Sequence, residues 1–447
     1  MKLQYLTSAS VIISDKNTSV LCDPWLVDGE YYGSWCHFPK LDFKPEDFDY
    51  VDFIYLSHIH PDHSSVKTLK KMNKNIPILI HSYETKFFKI MIENLGFTVI
   101  ELEHNKRTHL KENLYINILA ADNCNPELCH KYFGCSIAEN KYGSTSIDSM
   151  AVFDNGDEVL VNTNDCPYLL ANETASIIKS QYSKIDMLLV GYTSASAFPQ
   201  CFEMSSNQKI IEKKRLQLMY VEYAEKYVKL LEPKYFFPFA GRYTLAGKLT
   251  KFNDDKGAYE LEEAYEYFTK KSSTKLKNST CIILNSGTFF DISLGQSSKP
   301  YEPMNLDEKN DYVNQILSKK TLDYEFDDLP KVEEILLKIP KSFEHFEEKR
   351  KQLRFSSETQ IIIKISEFQN ILLSCKGDGF KIISQDETNK IKNFVKMELD
   401  LRLLNWILDG PKFAVWNNAE IGSHIQFTRN PDKYERGLYY SLSYFHC

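Results

Sequence analysis

Residues 51–57, VDFIYLS, form a short apolar run, and HIHPDH follows it without a gap. An apolar run of this length reads as a buried strand, so the histidines fall on the loop at its C-terminal edge. No other stretch constrains the fold as tightly. His58 and His60, two apart, face the same way in an extended segment. Pro61 ends the strand and suits the first turn of a helix expected over 62–72. Asp62 and His63 would then fold back toward the two histidines. The chain has 11 histidines in 447 residues, so three within six positions point to a site. Imidazole and carboxylate donors suit zinc, iron or manganese, which makes His58, His60, Asp62 and His63 candidate metal ligands.

The surrounding pattern indicates what this strand belongs to. Apolar runs at 11–15, 19–26, 53–58, 76–81, 98–102, 115–122, 149–154, 158–165 and 187–194 read as strands. Helical stretches at 67–74, 85–96 and 173–181 lie between some of them, the second closing on Gly96. Asn155-Gly156 between two apolar runs signals a hairpin. Strands that come both in runs and in alternation with helices predict two sheets with outer helices. A long helix is expected over 208–231, followed by Pro233, and 281–293 supplies one more strand pair. The polar stretch 296–310 reads as a linker. It divides the chain into a metal-binding domain, 1–295, and a smaller α+β domain, 311–447. The net charge of -7 argues against a nucleic-acid partner. No run of about 18 apolar residues predicts a membrane span. Ten cysteines without a CxxC pair read as a reduced, cytoplasmic chain.

The motif His58-x-His60-x-Asp62-His63 after an apolar strand resembles the metallo-β-lactamase superfamily, which implies an αββα sandwich with metal at the sheet edges. The resemblance implies that His58, His60 and a later histidine hold a first metal. Asp62, His63 and a final histidine would hold a second, with a bridging aspartate after a strand. Asp165 in EVLVNTNDC fits the bridging position. The later histidines do not fit, because none occurs between His130 and His345. The run YINILAAD ends on Asp122, with His130 and Asp148 as rivals for the same role. A site poor in histidine and rich in carboxylate is harder, which shifts the expectation toward one or two iron ions, with zinc or manganese as alternatives.

A narrower resemblance covers most of the chain. DPWL, GEYYGSWCHFP, DSMAVF, VLVNTNDC, GYTSASAFPQCF, EPKYFFPFAG and the tail LLNWILDGPKFAVWNNAEIGSHIQFTRNPDKYERGLYY are similar, in order, to the CMP-N-acetylneuraminate hydroxylase family. That resemblance implies O2-dependent hydroxylation at iron, with a Rieske [2Fe–2S] domain as electron source. The paired C-x-H and C-x-x-H segments of a Rieske centre are not found in this sequence. A separate electron donor, a ferredoxin or a Rieske protein, is therefore the expected partner.

The expected function is a non-haem iron hydroxylase of a small polar or nucleotide-linked substrate. The alternatives are a zinc or manganese hydrolase of an ester, lactone or phosphoester, in which Asp62 orients the attacking water, and a non-catalytic metal-binding scaffold. Lys213, Lys214 and Arg242 are candidates to hold an anionic substrate, against the plainer reading of solvated helix face and structural turn. Trp25, Tyr31, Tyr32 and Trp35 read as a pocket wall or as aromatic core. Trp416, Asn417, Asn418 and His424 are candidates to cap the site from the second domain. Cys124, Cys129, His130 and Cys135 match no standard zinc spacing and read as reduced loop cysteines.

Overall fold

A computed structural model of the chain describes residues 1–121, 148–193, 195–272, 276 and 278–447. Its first half is two sheets stacked face to face. The eight-stranded sheet runs in the order Gln296–Ser297, Phe289–Asp291, Lys2–Thr7, Ser10–Asp15, Thr18–Cys22, Phe53–Tyr55, Ile78–His81, Val99–Leu102. The seven-stranded sheet runs Thr280–Cys281, Tyr235–Phe239, Met187–Gly191, Val159–Asn162, Ser149–Asp154, Leu114–Ala120, Thr108–Lys111.

Alternation along the strands explains the layering. In Ser10–Asp15, Val11 and Ile13 join the core between the sheets, while Ile12 faces the outer helices. Thr18–Cys22 repeats this, with Val20 and Cys22 inward and Leu21 outward. A strand has a side-chain period of two, so each such run feeds two apolar layers. Phe88 and Ile92 of the helix Phe87–Glu93 cover the first sheet. Ala171, Ala175 and Ile178 of Tyr168–Gln181, with Val221, Ala224 and Val228 of Ser206–Leu231, cover the second. The result is the expected αββα sandwich.

Local chemistry sets the boundaries. The Asn155-Gly156 hairpin forms as expected: Gly156 has φ 91°, and the Asn155 side chain accepts from the amides of Asp157 and Glu158 at 3.0 and 2.8 Å. The long helix starts at Ser206 behind a Ser205 cap that accepts from the Gln208 amide. The helix expected over 62–72 is only Val66–Leu69. Ser65 caps it, and residues 61–64 form a turn in which His63 and Ser64 donate their amides to the His60 carbonyl at 3.0 and 2.8 Å.

The stretch 296–310 lies along the first domain. Gln296–Ser297 pairs with Phe289–Asp291, and Tyr301 and the Met304 amide both reach Glu262 Oε1, at 2.6 and 2.8 Å. Beyond it, a mixed sheet runs Phe380–Ser384, Gln369–Leu373, Gln360–Lys364, Phe394–Glu398, Gln426–Asn430. It packs with Val332–Gln352, Leu401–Leu408 and Arg436–Leu442 around Ile335, Ile361, Leu404 and Leu438. This core does not stop at the domain edge. It runs on into Trp25, Tyr31, Trp35, Phe202 and Tyr243 of the first half. The Phe202 and Phe427 rings stack across the join at 4.7 Å, and Cys201 and Glu203 exchange backbone hydrogen bonds with Phe427. Among the described residues, no helix is long and apolar enough to cross a membrane.

Candidate metal centre

The sandwich gathers donors at one rim because of strand direction. Thr18–Cys22, Phe53–Tyr55 and Ile78–His81 are parallel, as are Val159–Asn162, Met187–Gly191 and Tyr235–Phe239. The loops leaving their carboxyl ends therefore emerge together, where open α/β sheets usually bind ligands. Asp23, Ser57-His58 and Asp165 follow three of these strand ends.

His58 Nε2 lies 2.9 Å from His60 Nδ1, and His58 Nδ1 lies 2.9 Å from Ser57 Oγ and 3.5 Å from Asp148 Oδ1. His63 Nε2 has Asp165 Oδ2 at 3.2 Å and Asp62 Oδ2 at 3.5 Å. One ligand atom each from His58, His63 and Asp165 can be chosen so that all lie within 4.8 Å of one another. His58, His60, Asp62, His63, Asp148 and Asp165 thus converge, although they come from three separate stretches of chain. Asp122 and His130 lie outside the described residues, as do Cys124, Cys129 and Cys135.

A metal ion suits this cluster on electrostatic grounds. Buried polar atoms are normally satisfied, yet His63 Nε2 and Asp148 Oδ2 are fully buried without a well-directed hydrogen-bond partner. Burial pushes the Asp148 carboxyl well above the usual carboxylate range, and the nearby Asp165 adds to this. Burial raises Asp62 to about 6. Burial opposes charge on His63, but Asp165, Asp62 and Asp23 outweigh it and push the imidazole up. Three carboxylates held this close repel one another, and a divalent cation removes the conflict. Burial also depresses His58, and His60 to about 4, so both rings are neutral near pH 7, as metal ligation requires.

Asp23, which the sequence reading passed over inside DPWL, organises the centre. Its Oδ1 accepts from the Ser57 amide at 2.7 Å, and its Oδ2 accepts from Ser57 Oγ at 2.6 Å and His63 Nδ1 at 2.8 Å. That bond fixes the His63 ring with Nε2 toward Asp165 and Asp62. The available signal was an aspartate closing an apolar strand, the same signal that singled out Asp165. Asp23, Asp148 and Asn164 all have left-handed backbones, with φ of 45°, 40° and 47°. Each costs about 1 kcal/mol or more and persists only because its surroundings hold it.

The aromatic cluster turns out to be core rather than pocket wall. Trp35 stacks on Tyr243 at 3.5 Å with planes 2° apart, and Tyr31 packs on Trp35 at 4.5 Å. Tyr31 still reaches the centre: its hydroxyl donates to Asp62 Oδ1 at 2.6 Å. His424 is committed to structure, with Nε2 on the Tyr31 carbonyl at 2.7 Å and Nδ1 3.1 Å from Tyr324 OH.

A cavity of about 450 Å³ opens from His58, His60, Asp148 and Asp165 toward the second domain. Its sides are Tyr220, Tyr223 and Tyr227 of Ser206–Leu231, and its roof includes Trp416, Asn417, Glu420 and Arg429. Asn417 Nδ2 lies 3.5 Å from His60 Nε2. Lys213 donates to the Asp254 carbonyl at 2.6 Å, Lys214 is exposed, and neither lines the cavity, whereas Arg215 does. Arg242 sits off the cavity among Tyr5, Tyr192 and Glu260. Gly241 has φ 73°, and a Cβ there would fall 1.5 Å from Thr193 Oγ1, so its lack of a side chain admits Thr193.

Known proteins share parts of this sequence. Residues 2–130 match the beta-lactamase superfamily domain. A Mycolicibacterium smegmatis protein named as a Rieske 2Fe–2S iron–sulfur protein is 26% identical over 270 residues, covering 58% of this chain and 47% of that one. The cytidine monophosphate-N-acetylneuraminic acid hydroxylase of Xenopus laevis is 28% identical over 258 residues, covering 54% and 38%. The chain spans less than half the length of these relatives. Among solved structures, an isothiocyanate hydrolase from Delia radicum gut bacteria overlays with a TM-score of 0.46 at 15% identity, covering 65% of this chain and 99% of that one. The first domain has a metallo-β-lactamase fold, and the sequence is similar to that of CMP-N-acetylneuraminate hydroxylases.

Proposed function

We propose, from a metallo-β-lactamase fold whose sequence relatives include hydroxylases, that the chain is an iron-dependent hydroxylase of a small polar substrate. The observation that carries this reading is the donor set. Three histidines stand with three carboxylates at one rim, four of them (His58, His60, Asp148 and Asp165) on the cavity floor, a harder set than a histidine-dominated zinc site. His58, His60, Asp62, His63, Asp148 and Asp165 would hold one or two iron ions. Bound iron supplies the one-electron chemistry that O2 activation needs.

The chain's own residues do the rest. Asp23 holds the His63 ring by its Nδ1 proton and leaves Nε2 for ligation. Ser57 Oγ lies against His58 Nδ1 and fixes that ring in turn. Tyr31 keeps one Asp62 oxygen occupied, so the other faces His63. The second domain closes the cavity over the centre, restricting water and orienting substrate through Asn417. An anionic substrate group would meet Arg215 first, with Lys213 and Lys214 on the same helix and Arg242 as more distant contributors to the field. We infer an electron donor of ferredoxin or Rieske type, because one sequence relative carries a Rieske cluster in its name.

A second reading, hydrolysis at zinc or manganese, is favoured by one observation: Tyr31 holds one Asp62 oxygen while the other stays at the centre, 3.5 Å from His63 Nε2, where it could orient an attacking water. One experiment separates the two. Protein purified without added metal is assayed for metal content and for substrate-dependent O2 uptake with a reduced ferredoxin. The hydroxylase reading expects iron and O2 uptake. Zinc with anaerobic turnover of esters or phosphoesters would overturn it.

A further inference from the structure

The cavity has a second polar group, one helical turn beyond the residue that touches the metal centre. Trp416–Ile421 is a single short helix, and Asn417 and Glu420 lie three residues apart on it, about one turn. Asn417 reaches His60, and both residues line the cavity. Among the described residues, no hydrogen bond or ion pair holds the Glu420 side chain, and only the field of Arg429 favours its charge. The Tyr439 hydroxyl, also at the cavity, is buried without a well-directed hydrogen-bond partner. The neighbouring cation is already engaged. Arg429 is paired with Asp432 and lies over the Phe202 ring at 4.7 Å. A half-buried carboxylate on a cavity wall without a partner is left to a ligand or to solvent.

We propose that Glu420, with Tyr439 beside it, is a specificity site that accepts hydrogen bonds from a donor-bearing group of the substrate, an amine or a hydroxyl, about one helical turn from the metal-facing end. This rests on the cavity being the substrate site. It adds that the end of the substrate away from the metal carries N–H or O–H donors and no negative charge. Burial raises Glu420 to about 7, which fits a carboxyl that gains more from a donor than from solvent. The tyrosine side walls favour a ligand with a flat or apolar body.

The test compares three probes of matched size: phenethylamine, phenethyl alcohol and 3-phenylpropanoate. Binding to the full chain as purified is followed by ligand-observed NMR, in wild type, Glu420→Gln and Tyr439→Phe. Glu420→Gln is expected to weaken the amine or the alcohol by about tenfold or more and to leave 3-phenylpropanoate unchanged or tighter. Selective loss of the amine identifies a cationic group; selective loss of the alcohol identifies a neutral one. Tyr439→Phe is expected to give a smaller loss of the same kind. Equal weakening of all three probes, no change in any, or no binding by wild type overturns the proposal. No arm depends on turnover or O2, so failure here leaves the hydroxylase reading to its own metal and O2 assay.

Discussion

Between the two sheets, Phe153, Leu189 and Phe237 pack with no exposed surface in a layer supplied by both sheets. At the rim a few residues away, His63, Asp148 and Asn164 are as deeply buried, yet each keeps a polar atom without a well-directed partner. The first region meets the rule that buried groups are apolar or satisfied; the second breaks it repeatedly within one loop cluster. Left-handed backbone recurs there too, at Asp23, Asp148, Asn164 and Tyr31. A rigid sandwich supplies the stability that lets its rim hold mutually repelling carboxylates in place.

That contrast predicts different costs for different substitutions. The largest is in the sandwich. Phe153→Ala should lose about 3–5 kcal/mol in urea unfolding, while native protein keeps the wild-type metal stoichiometry. Loss of metal from the folded variant would mean that core and rim are not separable. Asp23→Asn should lower metal affinity by about 10–100-fold, read by competition with a chelator, because a carboxamide at that position cannot accept from both the Ser57 amide and His63 Nδ1 as the carboxylate does. Unchanged affinity would remove Asp23 from the centre.

Tyr31→Phe removes the hydrogen bond to Asp62 and should destabilise the metal-free protein by about 1–2 kcal/mol. The effect should shrink in metal-loaded protein if Asp62 is held by the ion as well. The smallest effect lies at the satisfied flank of the rim. His37 and Lys320 hold Asp28 at about 2 despite its burial. Its folded value lies below the unfolded one of about 3.9. The contribution is therefore complete above pH ~4 and is lost as pH falls toward ~2. With part of the side chain in solvent, about 1 kcal/mol is expected. The stability gap between wild type and Asp28→Asn should close over that window; a gap constant from pH 5 to 2 would assign the contact to packing.

Much of this was legible in the chain. Alternation in 11–15 and 19–22 specified which residues face each layer, because a strand has only two faces. HIHPDH marked the rim, because those donors follow a strand end directly. The short helix Val66–Leu69 was overestimated, since the periodic signal could not show that Ser65 caps so late. The aromatic residues 25–35 could not be assigned between pocket and core, because their partner Tyr243 lies more than 200 positions away in sequence.

The sequence by itself determined the sandwich, the rim and four of the six donors, all of which follow from local period and from residues adjacent in the chain. Only the tertiary structure decided that Asp148 and Asp165 face the histidines, that Asp23 orients His63, and that Asn417 and Glu420 roof the cavity. Those contacts join segments dozens to hundreds of residues apart, and no local propensity encodes which strand ends finish side by side.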